Sequence, residues 1–117
     1  MQSEPAKIEI KATPEFKRSL RTLAKRYRKI RSDVQPIIDR LQAGEVIGDQ
    51  ISGTRYTVFK IRVRNSNIQK GKSGGYRFIY YLKTSTQIIL VTLYSKADQG
   101  DISAGTINRI VANFESQ

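Results

Sequence analysis

The chain reads as a small α+β domain, with helices packed on one face of a mainly antiparallel sheet. Three observations predict this class. Apolar residues from Phe16 to Leu41 recur at helical spacing, the period switches to two from Tyr56, and helical spacing returns from Ile107. The 117 residues fit a single domain, 1–117, with residues 1–6 as a flexible tail. That length can bury one modest core without metal or disulfide support.

Lys7-Ile8-Glu9-Ile10-Lys11 alternates apolar and charged residues, the period of a strand with one buried face. Thr13-Pro14-Glu15 follows as a helix start: Thr13 as N-cap, Pro14 at the first helical position, Glu15 at the positive end of the dipole. Phe16, Leu20, Leu23, Ala24, Tyr27 and Ile30 then form one apolar stripe. Ser32-Asp33-Val34-Gln35 has the pattern of a capping box and predicts a restart as a second helix, with Pro36 in its first turn. Val34, Ile37, Ile38 and Leu41 face the core, and Gly44 stands where a C-terminal glycine is expected. So short a connection predicts an antiparallel helical hairpin.

From Tyr56, Phe59, Ile61 and Val63 point one way, and Lys60, Arg62 and Arg64 the other. A glycine-containing segment, Asn65 to Gly75, leads to a strand over Tyr76–Lys83 and a third over Gln87–Tyr94, with Thr84-Ser85-Thr86 as the turn. Ile88 to Leu93 is apolar on both faces, as in a central, covered strand. Ile107, Ile110, Val111 and Phe114 share one side of a C-terminal helix. The expected order is β-α-α-β-β-β-α.

The formal net charge is +11, and the stretch from Arg55 to Lys83 holds Arg55, Lys60, Arg62, Arg64, Lys70, Lys72, Arg77 and Lys83 with no acid among them. Cations crowded on one sheet face repel, and a polyanionic ligand is the simplest reason for them. Cysteine and histidine are absent. That excludes a disulfide framework and a thiol nucleophile, leaves almost no route to a zinc site, and restricts acid–base chemistry to Lys, Arg, Tyr, Asp or Glu. No metal or cofactor is expected. Met1 to Lys7 is polar, and no apolar run approaches the roughly 20 residues of a membrane span. Neither a signal peptide nor a membrane partner is therefore expected, and the expected location is cytoplasmic.

The strongest candidate site is the alternating face Lys60, Arg62, Arg64, joined by Arg77 near the start of the next strand, because hairpin neighbours share a face. Gly71-Lys72-Ser73 is not a phosphate loop: Ser66 stands where the pattern needs glycine, and a strand follows instead of a helix. With Lys70 it reads as a mobile basic loop. Tyr56, Tyr76, Tyr80 and Tyr81 are half-buried strand formers. Tyr94, followed by Ser95-Lys96-Ala97-Asp98, is either a plain strand terminus or a ring that emerges at a sheet edge and stacks on a splayed base. The outer side of the first helix, with Lys17, Arg18, Arg21, Lys25, Arg26, Arg28, Lys29 and Arg31, serves either solubility or the binding of RNA or an acidic partner.

Tyr56-Thr57-Val58-Phe59-Lys60-Ile61-Arg62-Val63-Arg64, Ser73-Gly74-Gly75-Tyr76-Arg77-Phe78-Ile79-Tyr80-Tyr81 and Ile88 to Lys96 together resemble the RelE/ParE superfamily of bacterial toxins, most closely the HigB and RelE branch. The resemblance spans nearly the whole domain, and the Gly-Tyr-Arg step is its most specific piece. It implies a RelE-like fold and the toxin of a type II toxin–antitoxin pair. Its implied activity is that of a ribosome-dependent mRNA endonuclease, a metal-independent mRNA interferase. Its implied partners are mRNA on the 70S ribosome and a cognate antitoxin.

By the same resemblance Lys60, Arg62, Arg77, Tyr94 and Lys96 are catalytic; Arg64, Lys70, Lys72 and Tyr76, cations and an aromatic beside them, are expected to contact RNA. Arg77 suits the charge built when a ribose 2′-hydroxyl attacks the adjacent phosphate. Lys60 or Lys96 either accepts the 2′ proton or acts as an electrostatic stabiliser. Some relatives use histidine or glutamate, and this chain lacks the former. A ParE-like DNA gyrase-binding toxin and a non-catalytic RNA-binding module are the alternatives.

Overall fold

The computed structural model describes residues 7–68 and 74–117. The expected tail and the basic loop residues Lys70 and Lys72 lie outside them. The described chain is an α+β domain of three helices and a five-stranded, mostly antiparallel sheet.

Strand β1 (Glu9–Ala12) runs into Thr13, whose side chain accepts the amide proton of Phe16 at 3.0 Å and caps α1 (Pro14–Arg26). The same hydroxyl donates to the carbonyl of Val91 at 2.6 Å, so one fully buried residue starts the helix and ties it to the sheet. The helix stops at Arg26, and α2 (Ile30–Gln42) follows after three residues.

This corrects the expected helix restart. Asp33 does not cap α2; its carboxylate accepts the amide of Ser66, while Ser32 donates back to the carbonyl of Lys29. The fully buried Ile30 instead secures the first turn, so it belongs to α2 and not to the first helix. Pro36 consequently lies in the helix interior, on its exposed side, where its ring leaves the Ser32 carbonyl without an intrahelical donor. Gly44, with φ of 95°, ends the segment as anticipated.

The sheet order is β1-β5-β4-β3-β2, where β2 is Asp49–Gln50, β3 Val58–Val63, β4 Tyr76–Thr84 and β5 Gln87–Ser95. The two-residue β2 is too short to carry a periodic signal. Strand β1 pairs parallel to β5, and the other pairings are antiparallel. On one face Ile61, Val63, Tyr76, Phe78, Tyr80, Ile88, Leu90 and Leu93 pack against α1 and α2.

The C-terminal helix α3 (Ala104–Glu115), capped by Ser103, does not join them. Its Ile107, Ile110 and Val111 cover Val58, Ile79, Val91 and Tyr94 on the opposite face. The expectation of helices on one face is therefore wrong. A strand apolar on both sides, as β5 is, needs a cover on each.

Candidate functional site

The face that α3 shares continues past the helix as a row of polar side chains. Arg62 on β3 lies directly opposite Arg77 on β4, and Arg77 lies directly opposite Tyr94 on β5. Lys60 stands two residues before Arg62, on the same side of the strand. Two arginines facing each other across a strand pair destabilise the sheet unless something negative comes between them.

A register shift creates this row. The pairs Ile79–Thr92 and Tyr80–Leu90 leave Val91 as an extra residue in β5. Simple alternation would place Tyr94 with Ile88 and Leu90, facing α1. The bulge inverts that parity, so Tyr94 packs on the α3 side beside Arg77. Gly75 secures the start of β4. A side chain there would overlap the carbonyl oxygen of Val63, and the Gly75 carbonyl accepts the amide of Lys96 at 3.0 Å. The Gly-Tyr-Arg step thus docks β3, β4 and the segment after β5 at one point.

Arg77 is only 6% exposed. Its guanidinium donates to the carbonyl of Tyr76 at 3.3 Å and makes no ion pair among the described residues. Burying a guanidinium without a carboxylate costs on the order of several kcal/mol. Arg62 and Arg64 are exposed and likewise unpaired among the described residues.

Lys60 and Lys96 have a partner that the local sequence does not announce. Both approach the same carboxylate oxygen, Oδ1 of Asp101, at 3.5 Å and 3.3 Å. The two ammonium groups hold the Asp101 carboxyl below the usual carboxylate range, with the hydrogen bond from Lys96 the largest cause. Asp49, too, sits opposite Lys60 in the β2–β3 register. The acid-free stretch is acid-free in sequence only. Asp101 is the residue that sequence reasoning missed, since it lies some way beyond the basic strands and no local pattern links it to them.

Two expected roles change. Tyr76 is fully buried on the α1–α2 face, with its ring edge-on to Tyr27 at 5.7 Å between centroids. It is therefore a core residue that RNA cannot reach. Tyr94 does not emerge at an edge: it is 6% exposed, and the amide of Ile102 donates to its hydroxyl at 3.4 Å. Burial pushes that phenol up from its ordinary value, so it stays protonated and holds the loop after β5.

Beside this loop lies a cleft of about 500 Å³, lined in part by Glu15, Arg18, Thr92, Tyr94, Gln99 and Asp101. Helix α1 packs on the other face of the sheet, yet its basic side borders this loop: Arg18 lines the cleft and Arg26 pairs with Asp98. Among the described residues no group of three or more His, Cys, Asp or Glu is placed to hold a metal ion, and no helix is long and apolar enough to cross a membrane. The arrangement can bind an oxyanion at Arg77, flanked by Arg62 and two lysines, and stabilise negative charge that grows there. No family model matches the chain.

Proposed function

We propose that this protein is a ribosome-dependent mRNA endonuclease of the RelE/ParE type, closest to the HigB and RelE branch, and acts as the cytoplasmic toxin of a toxin–antitoxin pair. One observation carries the reading: Arg77 is nearly buried, faces Arg62, and has no carboxylate partner among the described residues. An oxyanion stabilises a guanidinium in that state, and a phosphodiester supplies one with matching fork geometry.

In the proposed reaction the ribose 2′-hydroxyl gives up its proton as its oxygen attacks the adjacent phosphorus. The bond to the 5′-oxygen breaks and that oxygen takes up a proton, leaving a 2′,3′-cyclic phosphate and a 5′-hydroxyl end. Arg77 stabilises the charge on the phosphoryl oxygens, with Arg62, Lys60 and Lys96 adding to the field. In-line alignment comes from the ribosome-bound message, which suits a site with weakly reactive side chains. The antitoxin partner is drawn by the net charge of +11, which favours an acidic segment.

A second reading, a non-catalytic RNA-binding module, has one observation in its favour. The Tyr94 hydroxyl is engaged by Ile102 and both Lys60 and Lys96 are paired with Asp101, so none of these three described groups stands free to move a proton.

Primer extension on a reporter mRNA in a purified translation system separates these readings. Cuts inside codons that need translating ribosomes, reduced about 100-fold or more by Arg77→Ala with its fold intact by circular dichroism, support the endonuclease. An uncut message with RNA binding retained selects the binding module. An uncut message with inhibited DNA supercoiling selects the gyrase-binding alternative.

A further inference from the structure

We propose that Asp101 is a built-in counter-anion, occupying in the free protein the place between Lys60 and Lys96 that an RNA phosphate takes on binding, and so setting the threshold for polyanion affinity. The inference rests on the RNA reading above and concerns the regulation of that same site.

The geometry is that of one oxygen shared by two ammonium groups, at 3.5 Å and 3.3 Å. The lysine side chains are 25% and 33% exposed, whereas that of Asp101 is 68% exposed. The cations are thus built into the surface, and the carboxylate lies over them from outside. Its loop is tied down on either side of it. Asp98 pairs with Arg26, the Lys96 amide donates to Gly75, and the Ile102 amide donates to Tyr94. Among the described residues the Asp101 side chain forms no ion pair or hydrogen bond besides those to the two lysines, so an incoming phosphate can displace it without unfolding the loop.

A carboxylate and a phosphate present the same chemistry to lysine, and exposed ion pairs exchange readily. The alternative role, a general base for the 2′ proton, is disfavoured. Two adjacent ammonium groups depress the basicity of Asp101, and a base for that step needs the reverse. The two roles predict opposite signs for one substitution.

The test is fluorescence anisotropy with a labelled single-stranded oligouridylate across a salt series. The proteins are the full chain, Asp101→Asn, Asp101→Ser, the Lys60→Ala/Lys96→Ala pair, and that pair combined with Asp101→Asn. Thermal melts check that each is folded. Both Asp101 variants are expected to bind roughly three- to thirtyfold more tightly at physiological salt. The slope of log affinity against log salt should stay that of the parent in both Asp101 variants, because the same two lysines meet phosphate in each complex. It should flatten by about 0.7 for each lysine removed. In the lysine-free background Asp101→Asn should bring no gain.

Unchanged or weaker binding in both Asp101 variants overturns the proposal, weaker binding together with lost cleavage pointing to a catalytic or positioning carboxylate. Titration with inorganic tripolyphosphate separates the two levels. If no protein binds oligouridylate but Asp101→Asn tightens tripolyphosphate, the RNA reading falls and the counter-anion stands. If neither anion gains affinity, the counter-anion falls whatever the fate of the RNA reading.

Discussion

Tyr76 and Arg77 are sequence neighbours on opposite faces of one strand. Tyr76 lies wholly in the core under α1 and α2, and its hydroxyl finds no hydrogen-bond partner among the described residues; Asn65 Nδ2 is in the same condition. An unsatisfied buried hydroxyl costs about 1–3 kcal/mol, so Tyr76→Phe should leave stability unchanged or raise it by up to about 1 kcal/mol in a urea melt. RNA affinity should not move, since the ring is out of reach; a drop would return Tyr76 to the site. Tyr80, the other fully buried tyrosine of β4, has a use for its hydroxyl. It donates to the carbonyl of Ile47 at 2.6 Å and accepts from the Ile47 amide at 3.0 Å, fixing the segment between α2 and β2. The alternation of the strand marks which tyrosines turn inward, but not which of them have a partner.

Gly75 is where β4 meets its neighbours. Its missing side chain lets the backbone approach Val63, and its carbonyl holds the Lys96 amide. Gly75→Ala must push β3 and β4 apart at the end carrying Arg77, at a cost of about 1–3 kcal/mol, by the usual scale for overpacking. Under the proposed endonuclease function, message cleavage should fall further than the melting temperature suggests, because Arg77 and Lys96 shift together. Full activity in a folded Gly75→Ala protein would mean that this junction does not position the site. The bulge at Val91 acts on the same element pair: it transfers Tyr94 to the Arg77 side. No residue signal marks it, since Ile88 to Leu93 is apolar whichever way each side chain points.

Across the whole molecule, the sheet is a central layer with a helical pair on one face and a single helix over half of the other. Beyond that helix the same face carries Lys60, the exposed Arg62 and the nearly buried Arg77. This core makes the fold sensitive to alkali. Burial raises the phenols of Tyr76, Tyr80, Tyr81 and Tyr94 above their ordinary value of 10.0. A raised folded-state value means that stability is fully present below the unfolded value and lost as pH climbs towards the folded one. Stability should therefore be independent of these groups up to about pH 9 and then fall by up to about 1.4 kcal/mol per pH unit for each tyrosine that ionises only on unfolding. The part of the tyrosinate absorbance due to these four of the six tyrosines, read against a Tyr27→Phe/Tyr56→Phe protein, should appear together with loss of the circular dichroism signal. Tyrosinate forming well before unfolding would show that these rings are open to water.

The α+β class, the cap at Thr13, the β3–β4–β5 run and the clustering of cations were legible from residue pattern alone, because each is a local or strictly periodic property. Lys60, Arg62 and Arg77 could be grouped for the same reason: adjacent strands of a sheet share faces. The start of α2 at Ile30, the placement of α3 on the opposite face, the burial of Tyr94 and the arrival of Asp101 between two lysines were not legible. Each depends on what packs against what over long sequence separations. A buried isoleucine outweighed a capping motif, a bulge reversed a strand's parity, and a loop beyond the sheet delivered a carboxylate that meets both lysines.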